Sequence, residues 1–247
     1  MARFDGQAIL IVGASSGIGL ATAQRLAAEG ATIVGVARNA PRLEAAVAAL
    51  PGNGHHALAA DACQWEQLQA VAALGKQLGG LAGCVVCAGL HELRPLAVLD
   101  AAALARAFEA NVHSALLATK VFARTARGQG GSAVWLSSVA ALRGSAGFAA
   151  YAAAKGALIA ATRAAAVELA PRRIRVNVVA AGVVRTPMSD GWLKLLRPEQ
   201  AAAVEADHLL GLGEPQDVAG AIAFLLSDDA RWMTGSLLTA DGGLSSH

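Results

Sequence analysis

The chain has 247 residues, 55% of them hydrophobic and 15% charged, with a formal net charge of +2. That length supplies a sizeable core for one large α/β domain or two small ones, and the interleaved charges argue against a polybasic surface for nucleic acid or anionic membrane. No apolar run reaches the ~20 residues a membrane span needs, and the first one, Ala8 to Val12, is too short for a signal-peptide core, so the expected setting is cytoplasmic and the expected partner a small molecule.

Short β-branched runs alternate with alanine-rich amphipathic stretches, the rhythm of parallel strands joined by crossover helices. Strands are expected at about 7–12, 32–36, 55–59, 82–86, 131–136, 174–179 and 236–240, and helices at about 17–29, 41–50, 64–78, 101–125, 151–170 and 215–227. No Pro/Gly/Ser linker divides the chain. The pattern predicts one doubly wound α/β domain over 1–247 with a seven-stranded parallel sheet flanked by helices, and ligands outside the carboxyl ends of the strands.

The first strand runs into Gly13-Ala-Ser15-Ser16-Gly17-Ile18-Gly19 and then a helix. Glycines let the backbone approach a pyrophosphate, the helix N-terminus presents unpaired N–H groups, and Ser15 and Ser16 add hydroxyls; a tight strand-to-helix turn is the plainer alternative. The second strand ends Val36-Ala37-Arg38-Asn39, where an NAD site would place an acid for the adenosine ribose. Ala37 leaves room and Arg38 brings a guanidinium suited to a 2′-phosphate, which favours NADPH/NADP over NAD. After the third strand Asp61, followed by Ala62, is a binding candidate or a helix cap. The fourth strand carries Cys84 and Cys87, which with Cys63 are the only cysteines. Residues three apart on a strand point to opposite faces, so a redox pair or metal site is not expected.

Asn111 lies in an otherwise apolar-patterned helix, and the fifth strand ends in Ser137-Ser138. Thirteen residues beyond Ser138 comes Tyr151, the only tyrosine, four residues ahead of Lys155. Positions i and i+4 share a helix face, and a nearby cation favours the phenolate of a group whose ordinary pKa is ~10. Taken alone the two read as a surface pair; the rest of the chain changes that reading. From Ala180 to about Gly213 the rhythm breaks, and this stretch, with Trp192, Leu195 and Leu196, reads as a substrate lid at about 183–213. Positions near the strand ends nominate Leu90, His91, Ala140, Leu142, Phe148, Val183, Met188, Trp192, Leu195 and Leu196 as an apolar substrate pocket. His91 is its one titratable member, expected at the rim rather than in catalysis.

Together Gly13-x-x-x-Gly17-x-Gly19, Asp61, Cys87-Ala88-Gly89, Asn111, Ser137-Ser138, Tyr151-x-x-x-Lys155 and Ala181-Gly182-x-Val184-x-Thr186 resemble the short-chain dehydrogenase/reductase family over nearly the whole chain. The resemblance implies a Rossmann fold and an NAD(P)-dependent carbonyl reductase or alcohol dehydrogenase. In it Tyr151 is the proton donor or acceptor, and Lys155 binds the nicotinamide ribose and lowers the Tyr151 pKa. Ser138 holds the substrate oxygen, and Asn111 supports a water linking Lys155 to solvent. It further implies that Asp61 meets adenine, that Ala88 and Gly89 meet the adenosine and ribose, and that Val184 and Thr186 meet the carboxamide. Ala62, Cys87 and Gly182 complete the expected cofactor set. Hydride delivery from the pro-S face and a homotetramer built through the helices at 101–125 and 151–170 and around the C-terminal strand are also implied. Val12, Cys87 and Ala181 stand where the family usually has threonine, asparagine and proline; none is a reacting group.

Hydride transfer to a carbonyl builds negative charge on oxygen, which calls for a nearby proton and a second donor, the roles Tyr151 and Ser138 would fill. The alternative within the class is a 3-oxoacyl thioester reductase, for which Arg124, Arg127, Arg172 and Arg173 form no stripe for an acidic carrier protein. A non-catalytic dinucleotide sensor and a serine hydrolase are the rivals outside it; the chain has no G-x-S-x-G elbow.

Overall fold

The computed structural model describes residues 2–128 and 130–247. Its centre is a parallel sheet of seven strands: β1 (Ala8–Val12), β2 (Thr32–Ala37), β3 (His56–Ala59), β4 (Gly83–Val86), β5 (Gly131–Ser138), β6 (Ile174–Ala181) and β7 (Leu237–Ala240), in the order β3-β2-β1-β4-β5-β6-β7. Each strand stands at its expected place within two residues. The order reverses between β1 and β4, where Val12 is flanked by Val36 and Val86, so a crevice opens there at the carboxyl ends.

Alternation along each strand feeds two cores. Ile9, Ile11, Ile33, Val85 and Val134 face α1 (Gly17–Ala28), α2 (Ala40–Ala48) and α9 (Pro215–Leu226). Leu10, Val12, Val34, Val36 and the fully buried Trp135 face α3 (Leu68–Gln77), α5 (Ser114–Thr125) and α6 (Ala149–Leu169). Cys84 belongs to the second core and Cys87 packs against the first, the opposite faces that their spacing predicts. Two polar side chains packed on the sheet are matched: the Trp135 indole donates to Thr119 Oγ1 at 2.8 Å, and Arg175 donates to the Leu225, Leu226 and Ser227 carbonyls that end α9, where helical carbonyls lack intrahelical partners.

Two elements depart from expectation. The helix expected at 101–125 is broken: α4 (Ala101–Phe108) passes through a π-helical turn, Glu109–His113, before α5 begins. The extra residue in that turn carries Asn111, and such bulges recur where a side chain must be re-aimed. The segment after β6 holds two short helices, α7 (Pro187–Leu193) and α8 (Pro198–Ala206). Thr186 caps α7, its hydroxyl accepting from Ser189 N at 3.2 Å.

Candidate active site

The glycine loop is dictated by close backbone approach. A Cβ on Gly13 (φ +90°) would lie 2.7 Å from Ala88 N, and one on Gly19 would lie 2.1 Å from Gly13 O. Gly17 (φ +53°) abuts Thr186, which joins the loop to the segment after β6. Ser16 precedes α1 without capping it, so no side chain there covers the first N–H groups of the helix, the arrangement that suits a phosphate. Cys87 N and Ala88 N both donate to Val12 O, at 2.9 and 3.0 Å, laying the turn after β4 beside the loop. A Cβ on Gly89 would meet Asn111 Oδ1 at 2.5 Å and Lys155 Nζ at 3.2 Å. These cradles fit a dinucleotide.

At the end of β2, Arg38 is exposed and Ala37 half-buried. Sequence reasoning missed a second guanidinium: Arg42, in the first turn of α2, donates from Nη2 to Ser15 Oγ at 3.3 Å. The available signal was Asn39, whose side chain caps α2 by accepting from Arg42 N and so sets that turn beside the glycine loop. Asp61 does not cap α3, which starts at Leu68; its carboxylate accepts from Cys63 N at 2.9 Å in a local turn.

A cavity of about 400 Å³ opens at the carboxyl ends of β4, β5 and β6 and is lined by Asn111, Ser138, Tyr151 and Lys155 together. From the cofactor set it also takes Ile18, Cys87, Gly89, Gly182, Val184 and Thr186, whereas Gly13, Ser15, Ser16, Gly17, Gly19, Ala37, Arg38, Asp61, Ala62 and Ala88 lie outside its walls. Ser137 is committed elsewhere, its hydroxyl donating to Lys155 O at 2.8 Å, which leaves Ser138, whose Oγ accepts from Ala140 N at 3.2 Å, as the serine placed to address a ligand. Asn111 is 1% exposed rather than solvent-facing. Its Nδ2 donates to Leu90 O at 3.0 Å and Ala107 O at 2.8 Å, while its buried Oδ1 has no hydrogen-bond partner among the described residues. Lys155 is 3% exposed, and its ammonium donates to Leu136 O at 2.8 Å.

Burial dominates the electrostatics of Tyr151 and Lys155. Burial pushes the Tyr151 phenol up to about 12, opposed only in part by a hydrogen bond with Ser138. The same burial brings Lys155 down to about 8. Lys155 Nζ, held by Leu136 O, stands 5.7 Å from the centre of the Tyr151 ring. Desolvation therefore outweighs the Ser138 hydrogen bond at the phenol.

The substrate side is aromatic. His91 packs edge-on against Tyr151 (5.0 Å between ring centres, 74°), against Phe148 (5.1 Å) and nearly parallel to Trp192 (5.8 Å, 28°). Burial, then the Lys155 charge, lowers its pKa, so it is a neutral member of the wall rather than a rim residue. Leu90, Ala140, Val183 and Met188 also line the cavity. Leu142, Leu195 and Leu196 do not. Leu142 is 44% exposed just past the 3-10 turn after β5, and Leu195 is 84% exposed in the turn after α7, which directs both outward; Leu196 shares that turn. Three ionisable wall residues carried no motif. His208, 4% exposed, accepts from Val183 N at 3.0 Å and donates through Nδ1 to Val204 O at 2.7 Å, while Arg143 and Asp207 form an ion pair at 3.1 Å.

Comparison with known proteins places this geometry. A family described as "Enoyl-(Acyl carrier protein) reductase" matches residues 13–245. An uncharacterized oxidoreductase of Methylorubrum extorquens is 38% identical, with 99% of this chain and 100% of that protein covered. A cyclopentanol dehydrogenase of a Comamonas species is 36% identical over the whole of both chains. Among solved structures, a short-chain type dehydrogenase/reductase from Mycobacterium ulcerans superposes with a TM-score of 0.92 at 34% identity, covering 99% of this chain and 92% of that one.

Proposed function

The chain belongs to the short-chain dehydrogenase/reductase family, whose members are NAD(P)-dependent oxidoreductases of alcohol and carbonyl groups, and we propose that it reduces a small cyclic or aryl ketone to the alcohol with NADPH, reversibly. The observation that carries this reading is the convergence of Ser138, Tyr151, Lys155 and Asn111 on one cavity with an aromatic wall. A relative named for cyclopentanol supports a compact cyclic substrate.

Bound dinucleotide supplies the hydride. Its phosphates would rest on the loop from Gly13 to Gly19, its nicotinamide end near Ile18, Cys87, Gly89, Val184 and Thr186, and its adenosine beside Asp61 and Ala62. Tyr151, with a pKa of about 12, holds its proton at neutral pH and donates it to the carbonyl oxygen, while Ser138 donates a hydrogen bond to the same oxygen. Lys155 stabilises the phenolate left behind, and a water accepted on Asn111 Oδ1 would return the proton from solvent. Arg38 and Arg42 with Ala37 between the strand and the loop favour a 2′-phosphate, hence NADPH over NADH.

The remaining parts of the reading are a single domain with the stretch 183–213 as a lid carrying Met188 and Trp192, a homotetramer through α4 to α6 and β7, and a cytoplasmic location. Among the described residues no helix is long and apolar enough to cross a membrane. A 3-oxoacyl thioester substrate is the second reading; the matching family's description shares with it the acyl carrier but names an enoyl group in place of the 3-oxo one. Arg127 gives it no help, since its guanidinium is spent on Gly80 O and Gly6 O. The deciding experiment is NADPH consumption over cyclic ketones, aryl ketones, and oxoacyl and enoyl thioesters, with Tyr151→Phe as the control. That variant should bind NADPH normally by fluorescence yet lose ~10²–10⁴-fold in turnover; near wild-type turnover would remove Tyr151 from the chemistry.

A further inference from the structure

The aromatic wall contains one imidazole, His91, and no hydrogen bond within the described residues uses its nitrogens. Among the described residues, the imidazoles that hydrogen-bond within the chain are His55, with Ile33 N and Pro51 O, and His208, with Val183 N and Val204 O; His91 has no such partner. Its position is nevertheless held from both sides. Asn111 Nδ2 grips the carbonyl of the preceding residue, Leu90, at 3.0 Å. On the other side Glu92 Oε1 accepts from Arg94 Nε at 2.6 Å and from Arg106 Nη2 at 3.2 Å, and Arg94 N donates to Gly147 O at 2.9 Å. The ring itself is wedged among Phe148, Tyr151 and Trp192.

We propose that His91 recognises a second oxygen of the substrate, so that the preferred substrate is a cyclic ketone bearing a hydroxyl or carbonyl group next to the carbonyl that is reduced. This rests on the carbonyl-reduction reading above. The edge contact with the Tyr151 ring sets the imidazole beside the phenol that addresses the reacting oxygen, so the atom it meets belongs to a neighbouring carbon. A wall built only for hydrocarbon would be better filled by leucine or phenylalanine, because a half-buried nitrogen without a partner is costly. Burial and the Lys155 charge keep the ring neutral, and a neutral imidazole offers one donor and one acceptor, which suits either a hydroxyl or a second carbonyl.

The test compares kcat/KM for 2-hydroxycyclohexanone and 1,2-cyclohexanedione with that for cyclohexanone, using the full-length protein, its His91→Phe variant and its His91→Gln variant. Taking the ratio of oxygenated to plain ketone within each protein, and then comparing proteins, cancels the intrinsic reactivity of the substrates. Loss of one neutral hydrogen bond should lower that ratio by roughly five- to tenfold in His91→Phe, mainly through KM, and His91→Gln, which keeps a donor and an acceptor, should retain more of it. If melting curves show that the Phe variant does not fold, His91→Leu serves the same comparison. A ratio that moves less than twofold without the imidazole overturns the assignment to His91 and leaves the carbonyl reading standing. A wild-type protein that oxidises neither NADPH nor NADH with any of the three ketones overturns that reading and this proposal together.

Discussion

Lys155 offers a test of the site that needs neither cofactor nor substrate. Burial holds its pKa at about 8 against an ordinary 10.5, so the unfolded chain binds the proton more tightly than the folded one. The sign follows: the contribution to stability is fully present above pH 10.5 and is lost as pH falls through about 8. At about 1.4 kcal/mol per pH unit, the buried ammonium costs on the order of 3 kcal/mol at neutral pH, of which about 2–3 kcal/mol is relieved between pH 7 and pH 10. Other groups pull the other way. Tyr151, Cys63 and Cys87, each pushed up to about 12, and Cys84, also raised, keep protons that the unfolded chain releases, which lowers stability as the pH climbs. The comparison must therefore be between wild type and Lys155→Met, measured by urea unfolding at pH 7 and pH 10. Wild type should gain about 2–3 kcal/mol on the variant across that interval. A gap that stays constant, or that moves against wild type, would show that the ammonium is solvated and would refute the desolvated site.

Three further outcomes follow from the geometry. Gly89→Ala places a methyl 2.5 Å from Asn111 Oδ1 and 3.2 Å from Lys155 Nζ; overpacking of this kind costs typically 1–3 kcal/mol, and the variant should melt lower and bind nicotinamide cofactor weakly, both absent if the turn yields freely. Arg38→Ala and Arg42→Ala should each weaken NADPH relative to NADH by roughly ten- to a hundredfold when bound by titration; an Arg42 variant with unchanged preference would leave that residue as a brace for Ser15. Replacing Trp192 or Met188 by Ala should reorder a ketone panel more than it changes cofactor affinity, whereas an unchanged order would put the specificity outside the proposed lid.

Strand placement was legible because a parallel sheet leaves its strands buried on both faces, so Ala8–Val12 reads as an unbroken apolar run ended by Gly13. Tyr151 and Lys155 were legible for a different reason, since positions four apart on one helix share a face, while Ser138 was picked out by the family resemblance. What escaped were relations set by tertiary contact. The π-turn at Glu109–His113 has no signature in a stretch whose apolar period reads as one helix, yet it buries Asn111 and lets it hold Leu90 O. Arg42 reaches Ser15 across 27 positions, and His208 meets Val183 from 25 away, separations that no local pattern encodes. The burial that raises the Tyr151 phenol escaped for the same reason, being collective rather than local. Leu195 and Leu196 were assigned to the pocket by their place after a strand end and their apolar character, and helix direction decided against them: α7 turns Trp192 inward, and the turn that follows carries Leu195 out. An apolar residue near a site is therefore weaker support for a pocket than a polar one that lacks a partner, and by that criterion Asn111 and His91 are the residues through which this cavity is most open to a ligand.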